Sequence, residues 1–337
     1  MDALPLGKLS SELLARLLKD VPVFDQRLIV GPGIGLDCAV VALDETCLVF
    51  KSDPITFATD EIGWYAVQVN ANDIATTGAT PRWFLTTVLL PEGKVTSEDV
   101  EKISRQIYEA CRFLEISVIG GHTEITYGLD RPIIAGTMIG EVPRQALITP
   151  KGATPGDQIL LTKGVPIEGT AILAREFRRQ LENMCTRDEL QQARAYLYDP
   201  GISVVQEARL AVQAGKVSAM HDPTEGGLSG ALWELAEACG HRLVINPEAV
   251  YIPTIAKKIC RYFGANPLET IASGALLLTA PAGDAARICD SLRGESVNCS
   301  VIGVVEMGPP QVLHSGPDGL KPLPQPARDE IARIFEG

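Results

Sequence analysis

No two of the eight cysteines stand in a CxxC spacing, and no histidine cluster accompanies them. That excludes an ordinary structural zinc site. No GxxxxGK[ST] occurs, so there is no P-loop, and the tight glycine cluster at 31–35, GPGIG, is not a GxGxxG. No stretch of 18 apolar residues is present. The first residues, MDALPLGKLSSELLARLL, carry Glu12 and Arg16 where a secretory leader would have a continuous apolar core. The expectation is a cytoplasmic chain with no membrane contact and with reduced thiols serving as small core residues. Basic charge is scarce too: 30 Lys and Arg face 42 Asp and Glu, a net charge of −12. Nucleic acid is therefore not expected as a partner. A nucleotide remains open, because Mg²⁺ and backbone N–H groups can meet its few charges locally.

What is present fits an enzyme. At 337 residues the chain exceeds one usual core, so two domains are expected, and 46% apolar with 21% charged residues suits a compact fold.

Residues 51–90 organise the rest. Between Glu61 and Arg82 the only charged side chain is Asp73. Trp64, Val67, Ala71, Ile74 and Ala75 recur at helical spacing, which predicts a helix over 62–77 with one apolar face. Asn70, Asp73 and Thr77 share another face. A buried carboxylate needs a cation, a metal or a set of donors. Asp37 and Asp53 lie near the ends of two segments, 38–43 and 47–53, that form a hairpin around Asp44-Glu45-Thr46. Lys51, two residues before Asp53, falls on the same side of an extended strand, where it reaches a phosphate or pairs with one aspartate. Singly, each aspartate has a plain explanation as turn residue, strand end or helix cap. Together they would repel one another unless a metal were present, so Asp73→Asn is expected to slightly stabilise the free protein.

A short helix over 9–20, capped by Ser10 or Ser11, opens the chain. Strands are expected at 82–90, at 116–121 (short and buried, running into the loop GGHTEITYGLDRP) and at 133–142, with a helix at 98–114. The proline- and glycine-rich stretch 143–157 reads as a linker. Beyond it, strands at 158–164, 217–222, 242–245, 273–280 and 297–305 alternate with helices near 169–198, 202–214 and 283–293. The polar loop at 222–227 opens a helix with Leu228, Leu232, Leu235 and Ala236 on one side, and such a helix start is an anion site by geometry.

In order along the chain, GIGLDCAVV, SDPITF, NANDIATTGATPRWF, VIGGHTEIT, ATPGDQILLTKG, HDPTEGGLSGALWELA, SGALLLTAP and VIGVV resemble the AIR synthase-like (PurM-like) superfamily. Within it the chain is most similar to hydrogenase maturation factor HypE-related proteins. The resemblance implies an α+β protomer of two domains, 1–148 binding ATP and Mg²⁺ and dimerising, and 149–337 a C-terminal α+β domain. It implies a homodimer whose N-terminal sheets pair into a barrel. ATP would lie in a groove between the domains, with Mg²⁺ on scattered acids. Carried over residue by residue, Asp37, Asp53 and Asp73 are the metal ligands. Gly33, Gly35, Lys51, Asn72, Gly120, Gly121, His122, Thr123, Asp222, Gly226 and Gly227 are the nucleotide-binding residues, and no catalytic residue is assigned.

This sequence departs from the pattern in places. Leu36 stands where an acid is frequent, His122 where kinase members often carry aspartate, and Glu225 where hydrogenase factors usually have arginine. The sequence ends IFEG, with Cys299 its last cysteine, so the terminal cysteine that carries the carbamoyl group in hydrogenase factors is expected to have no counterpart, and the cysteines are expected to be dispensable for chemistry. Three readings stand: an ATP-dependent enzyme that phosphorylates or activates an oxygen of a small substrate, a thiamine-phosphate-kinase-like enzyme, and an ATP-binding assembly or regulatory protein without turnover, with a hydrogenase-maturation protein as a possible partner.

Overall fold

Ser10 opens the first helix, α1 (Ser11–Leu18), by accepting the Leu13 N–H at 3.3 Å; the Ser11 side chain lies outside the described residues. The structure is a computed structural model and describes residues 4, 6–317 and 319–336. The chain divides into two compact units. The smaller comprises 25–31 and 37–147, and the larger comprises the described residues up to 24 together with 32–36 and 148 onward. The passage between units falls at 147/148, beside the expected boundary. The described residues up to 36, apart from 25–31, lie in the larger unit and not with the rest of the expected first domain. The contacts explain it: Lys8 meets Glu225 and Glu234, and Gly35 lies so close to the Glu234 carbonyl that a Cβ there would sit 2.5 Å from the oxygen.

The smaller unit is a six-stranded sheet with two helices. Its elements are β1 (Leu28–Val30), β2 (Ala39–Leu43), β3 (Thr46–Ile55), α2 (Ile62–Thr76), β4 (Thr80–Pro91), α3 (Ser97–Phe113), β5 (Ser117–Thr126) and β6 (Ile133–Pro143). The strand order is β1-β2-β3-β6-β4-β5. All pairs are antiparallel except β4 with β5. Strict alternation of burial along β6 sets one face of the sheet against α2. Two close approaches seat that helix. A Cβ on Gly136 would come within 2.6 Å of Asn70 Nδ2, and one on Gly140 within 2.3 Å of Ile74 Cγ2.

Two expectations change here. Helix α2 has no polar outer face: every residue in it except Trp64 is buried. A helix that is apolar or small on most sides and carries a single charge is a core helix. Nor is 116–121 a short buried strand followed by a loop. β5 runs on through His122 and Thr123 to Thr126, exposed along almost its whole length, because it is the parallel edge strand of the sheet.

The larger unit has a seven-stranded sheet of order β13-β12-β9-β11-β7-β10-β8. The elements are β7 (Gln158–Thr162), α4 (Ile167–Glu176), α5 (Arg178–Leu181), α6 (Arg187–Ala195), α7 (Val205–Ala214), β8 (Ala219–His221), α8 (Gly227–Cys239), β9 (Arg242–Ile245), α9 (Thr254–Phe263), β10 (Leu277–Ala280), α10 (Ala282–Gly294), β11 (Cys299–Glu306), β12 (Gln311–Gly316), β13 (Gly319–Pro322) and α11 (Glu330–Glu336). Leu228, Leu232, Leu235 and Ala236 of α8 pack into the core against Ile159, Leu161 and other strand residues. Helix α9 has no counterpart among the expected elements, although Ile255, Ala256, Ile259 and Cys260 are its buried stripe.

Candidate metal and phosphate site

Along β3 the side chains of Cys47, Val49, Lys51, Asp53 and Ile55 share the face turned toward α2, since successive strand residues alternate sides. Lys51 Nζ lies 3.2 Å from Asp53 Oδ2 and 3.2 Å from Asp73 Oδ1. The lysine is largely buried and Asp73 almost wholly so. Burial works against the ammonium charge, yet Asp73, then Asp53, Asp37 and Cys38, outweigh it and hold Lys51 well above its ordinary pKa. Asp37 joins this group through its neighbour, because the Cys38 thiol donates to the Asp73 carbonyl at 3.3 Å.

Asn70 sets Asp53. Its Oδ1 accepts the Asp53 N–H at 2.9 Å, while its Nδ2 donates to the Asp53 carbonyl at 3.2 Å and to the Ala66 carbonyl at 2.9 Å. Three carboxylates around one ammonium leave a net charge near −2, and the donors are all oxygen. This fits Mg²⁺, which takes one or two carboxylates with water and phosphate oxygens.

Asn72 is buried on α2, beside Asp73. Gln68, one turn earlier and equally buried, was not singled out by sequence, and neither of its amide atoms has a hydrogen-bond partner among the described residues. Polar type at i, i+4 to Asn72 was the available signal; burial of that face was not.

Gly120, Gly121, His122 and Thr123 lie elsewhere in the unit. Asp53 pairs with Gly136, Gly136 with Thr86, and Thr86 with Gly121. Gly121 is therefore level with Asp53 but three strands away, about 14 Å at the usual strand spacing. His122 is exposed and faces Glu124 at 3.2 Å. The strand does not bring these four residues to the aspartates.

In the larger unit, β8 leads through Asp222 and the turn at Gly226 and Gly227 into α8. Both glycines have left-handed backbone, and a Cβ on Gly227 would meet the Leu268 and Thr270 carbonyl oxygens at 2.7 Å. Asp222 is fully buried. His221, also buried, lies 2.7 Å from Glu234 Oε2 through its Nε2. Glu225, which reverses the usual charge, accepts the Lys8 backbone N–H at 3.1 Å.

The helix start already holds a carboxyl group of the chain itself. Gly226 N–H donates to Asp329 Oδ2 at 2.6 Å, Gly227 N–H to the Thr224 carbonyl and Ser229 N–H to the Leu268 carbonyl. A phosphate at this place would compete with the chain's own carboxylate, which amends the expected anion site. Gly33 and Gly35 also belong to this unit, where the Leu36 N–H closes a turn on the Gly33 carbonyl.

Sequence reasoning also missed Glu168. It lies at the start of α4, buried, and accepts the Ser273 N–H at 3.2 Å. Burial pushes its carboxyl up to about 7, and burial does the same to Asp329. Nothing local distinguishes Glu168 from an exposed helix-start acid.

The family model for the N-terminal domain of AIR synthase related proteins matches residues 35–142, and that for the C-terminal domain matches residues 154–315. A Methanocaldococcus jannaschii protein named for hydrogenase expression and formation is 29% identical over 335 residues, covering 96% of each chain. Carbamoyl dehydratase HypE of Azotobacter vinelandii is 28% identical over 309 residues, covering 89% of this chain and 84% of its own. Among solved structures, HypE in complex with ATP has a TM-score of 0.70 at 24% identity, covering 93% of this chain and 90% of its own. The HypE–HypF complex gives 0.71 at 21%, covering 85% and 93%. Thiamine monophosphate kinase of Aquifex aeolicus gives 0.67 at 20%, covering 90% and 95%. At these identities the structures establish the fold. Among the described residues no helix is long and apolar enough to cross a membrane.

Proposed function

The chain belongs to the AIR synthase related family, and from that premise we propose that it is an ATP-dependent enzyme that transfers phosphate to, or activates, an oxygen of a small substrate. The observation that carries this reading is the buried Lys51 ammonium shared by Asp53 and Asp73, with Asp37 in its field. In this reading Asp37, Asp53 and Asp73 hold Mg²⁺, and the ion would neutralise phosphate charge as ATP binds. Lys51 holds the carboxylates in place and offers its ammonium to a phosphate oxygen. Asn70 fixes the backbone on which Asp53 stands. Asn72 supplies a polar group on the same helix. HypE crystallised with ATP supports the choice of nucleotide. The test is ADP release in Mg²⁺ and ATP across a panel of small hydroxyl and amide compounds. ADP release that no compound stimulates, and that Asp73→Asn leaves unchanged, would overturn it.

A second reading, an ATP-binding assembly or regulatory protein, draws on the larger unit. There Asp329 occupies the helix start and Glu225 replaces a cation, so fewer positive groups await a phosphate. Calorimetric titration with Mg²⁺·ATP that shows binding without ADP release would favour it. The thiamine-phosphate-kinase-like alternative draws on fold likeness, while His122 stands on an exposed strand.

We further propose a homodimer through the smaller unit's sheet. β5 is an edge strand with Val118, Ile119 and Ile125 exposed, and such an edge invites pairing. A light-scattering mass near 36 kDa, that of one chain, at micromolar concentration would refute this. A HypF-like maturation protein is the candidate partner, by likeness to HypE bound to HypF.

A further inference from the structure

In the larger unit Cys289 Sγ and Cys299 Sγ lie 3.4 Å apart. Cys289 is in the middle of α10, Cys299 is the first residue of β11, and both are buried. Arg293, one turn beyond Cys289, donates through Nε and Nη2 to the Cys299 carbonyl at 3.0 and 2.6 Å. The guanidinium thus ties the helix to the strand beside the two sulfurs. Two buried thiols in contact are often only small core residues, inert because burial disfavours the thiolate. Here each thiol has a partner that changes this balance.

We propose that Cys289 and Cys299 form a hydroperoxide-sensitive dithiol, with Cys289 as the attacking sulfur and Cys299 as the resolving one. The hydrogen bond from Cys299, with help from the Arg293 charge and against burial and Asp290, holds Cys289 below the usual thiol range. The same hydrogen bond and burial push Cys299 up, so Cys289 is the more readily ionised of the two. In the first step the Cys289 thiolate forms a bond to one peroxide oxygen. The O–O bond breaks, and the leaving hydroxide takes a proton to become water. Cys289 is then a sulfenic acid. In the second step Cys299 sulfur attacks the Cys289 sulfur, the S–O bond breaks, and the departing hydroxide leaves as water with the Cys299 proton. The sum is two thiols and one hydrogen peroxide giving one disulfide and two waters.

The bond would matter beyond its two sulfurs. Residues 290–298 span the pair, and Glu295, Ser296, Val297 and Asn298 line a cleft of 910 Å³ with Lys163 and Glu207. A disulfide would tether that wall to α10.

The test treats the full chain at pH 7.5 with a small excess of hydrogen peroxide. Samples are alkylated in guanidinium, digested without reduction and read by mass spectrometry. A thiol held below the ordinary range carries more thiolate at this pH than an ordinary one. The 289–299 cross-link, two hydrogens lighter than the reduced peptides, is therefore expected several-fold faster than oxidation of the other six cysteines. Its rate should drop several-fold at pH 6. In Cys299→Ser, Cys289 should stop at a sulfenic acid that dimedone traps; in Cys289→Ser neither product should form. A cross-link that forms no faster than the other oxidations in the native protein, or only after unfolding, would overturn the proposal, and the wild-type time course alone gives that answer if a variant misfolds.

Discussion

The side-chain amide of Asn70 pairs with both backbone groups of Asp53, accepting its N–H at 2.9 Å and donating to its carbonyl at 3.2 Å. A residue on α2 thereby acts on β3 as a neighbouring strand would, and Gly136 on the next strand leaves room for the amide. The position of one candidate metal ligand thus depends on a helix seventeen residues further along the chain.

Asn70→Ala removes both bonds and leaves the Asp53 backbone groups partly buried without partners. The expected cost is about 2 kcal/mol of stability, measured by urea unfolding. Mg²⁺·ATP affinity should fall by more than the small population of unfolded protein explains. Unchanged affinity in a folded Asn70→Ala protein would remove Asp53 from the site.

The sign expected for Asp73→Asn is reversed by the structure. Sequence alone counts three carboxylates in mutual repulsion, but Lys51 lies 3.2 Å from two of them. Neutralising Asp73 leaves a largely buried ammonium with one close partner, and the free protein should lose about 3 kcal/mol. Lys51→Met combined with Asp73→Asn should recover most of that loss while nucleotide affinity stays low. If Asp73→Asn melts at the wild-type temperature, the Lys51–Asp73 pair contributes nothing to stability.

Gln68 is a buried amide without hydrogen-bond partners among the described residues. Gln68→Leu keeps a similar volume and removes the desolvation cost, so the ligand-free protein should gain about 1 kcal/mol. A gain in melting temperature accompanied by weaker ATP binding would identify Gln68 as a residue kept for the nucleotide. A loss of stability would mean that the amide has a bridging water.

Glu168 predicts a pH dependence. Its folded pKa, raised to about 7 from an ordinary 4.5, lies above the unfolded one. Its contribution to stability is complete below about 4.5 and is lost as pH rises through 7; Asp329, raised to about 7 from 3.8, acts in the same direction. Glu168→Gln removes that titration, and at pH 8 the variant should be more stable than wild type by about 3 kcal/mol. Urea midpoints at pH 5 and pH 8 measure this. Equal pH slopes in the two proteins would mean that Glu168 is already ionised when folded.

Local spacing made much of this protein legible from the sequence alone. A stretch with helical periodicity and a single charge, Asp73, gave α2 its limits, and the two-residue period of a strand put Lys51 on the side of Asp53. Motifs in order identified the family. What neighbours two to four residues away cannot encode is which faces meet. Tertiary structure decided that α2 is buried on nearly every side, that Lys51 reaches a carboxylate on another element, and that β5 continues through His122 as an exposed edge. It also decided that Asp329 caps a turn 103 residues earlier. Each of these depends on burial and on contacts between distant elements, which change the energy of a charge by several kcal/mol yet leave no mark on the adjacent residues.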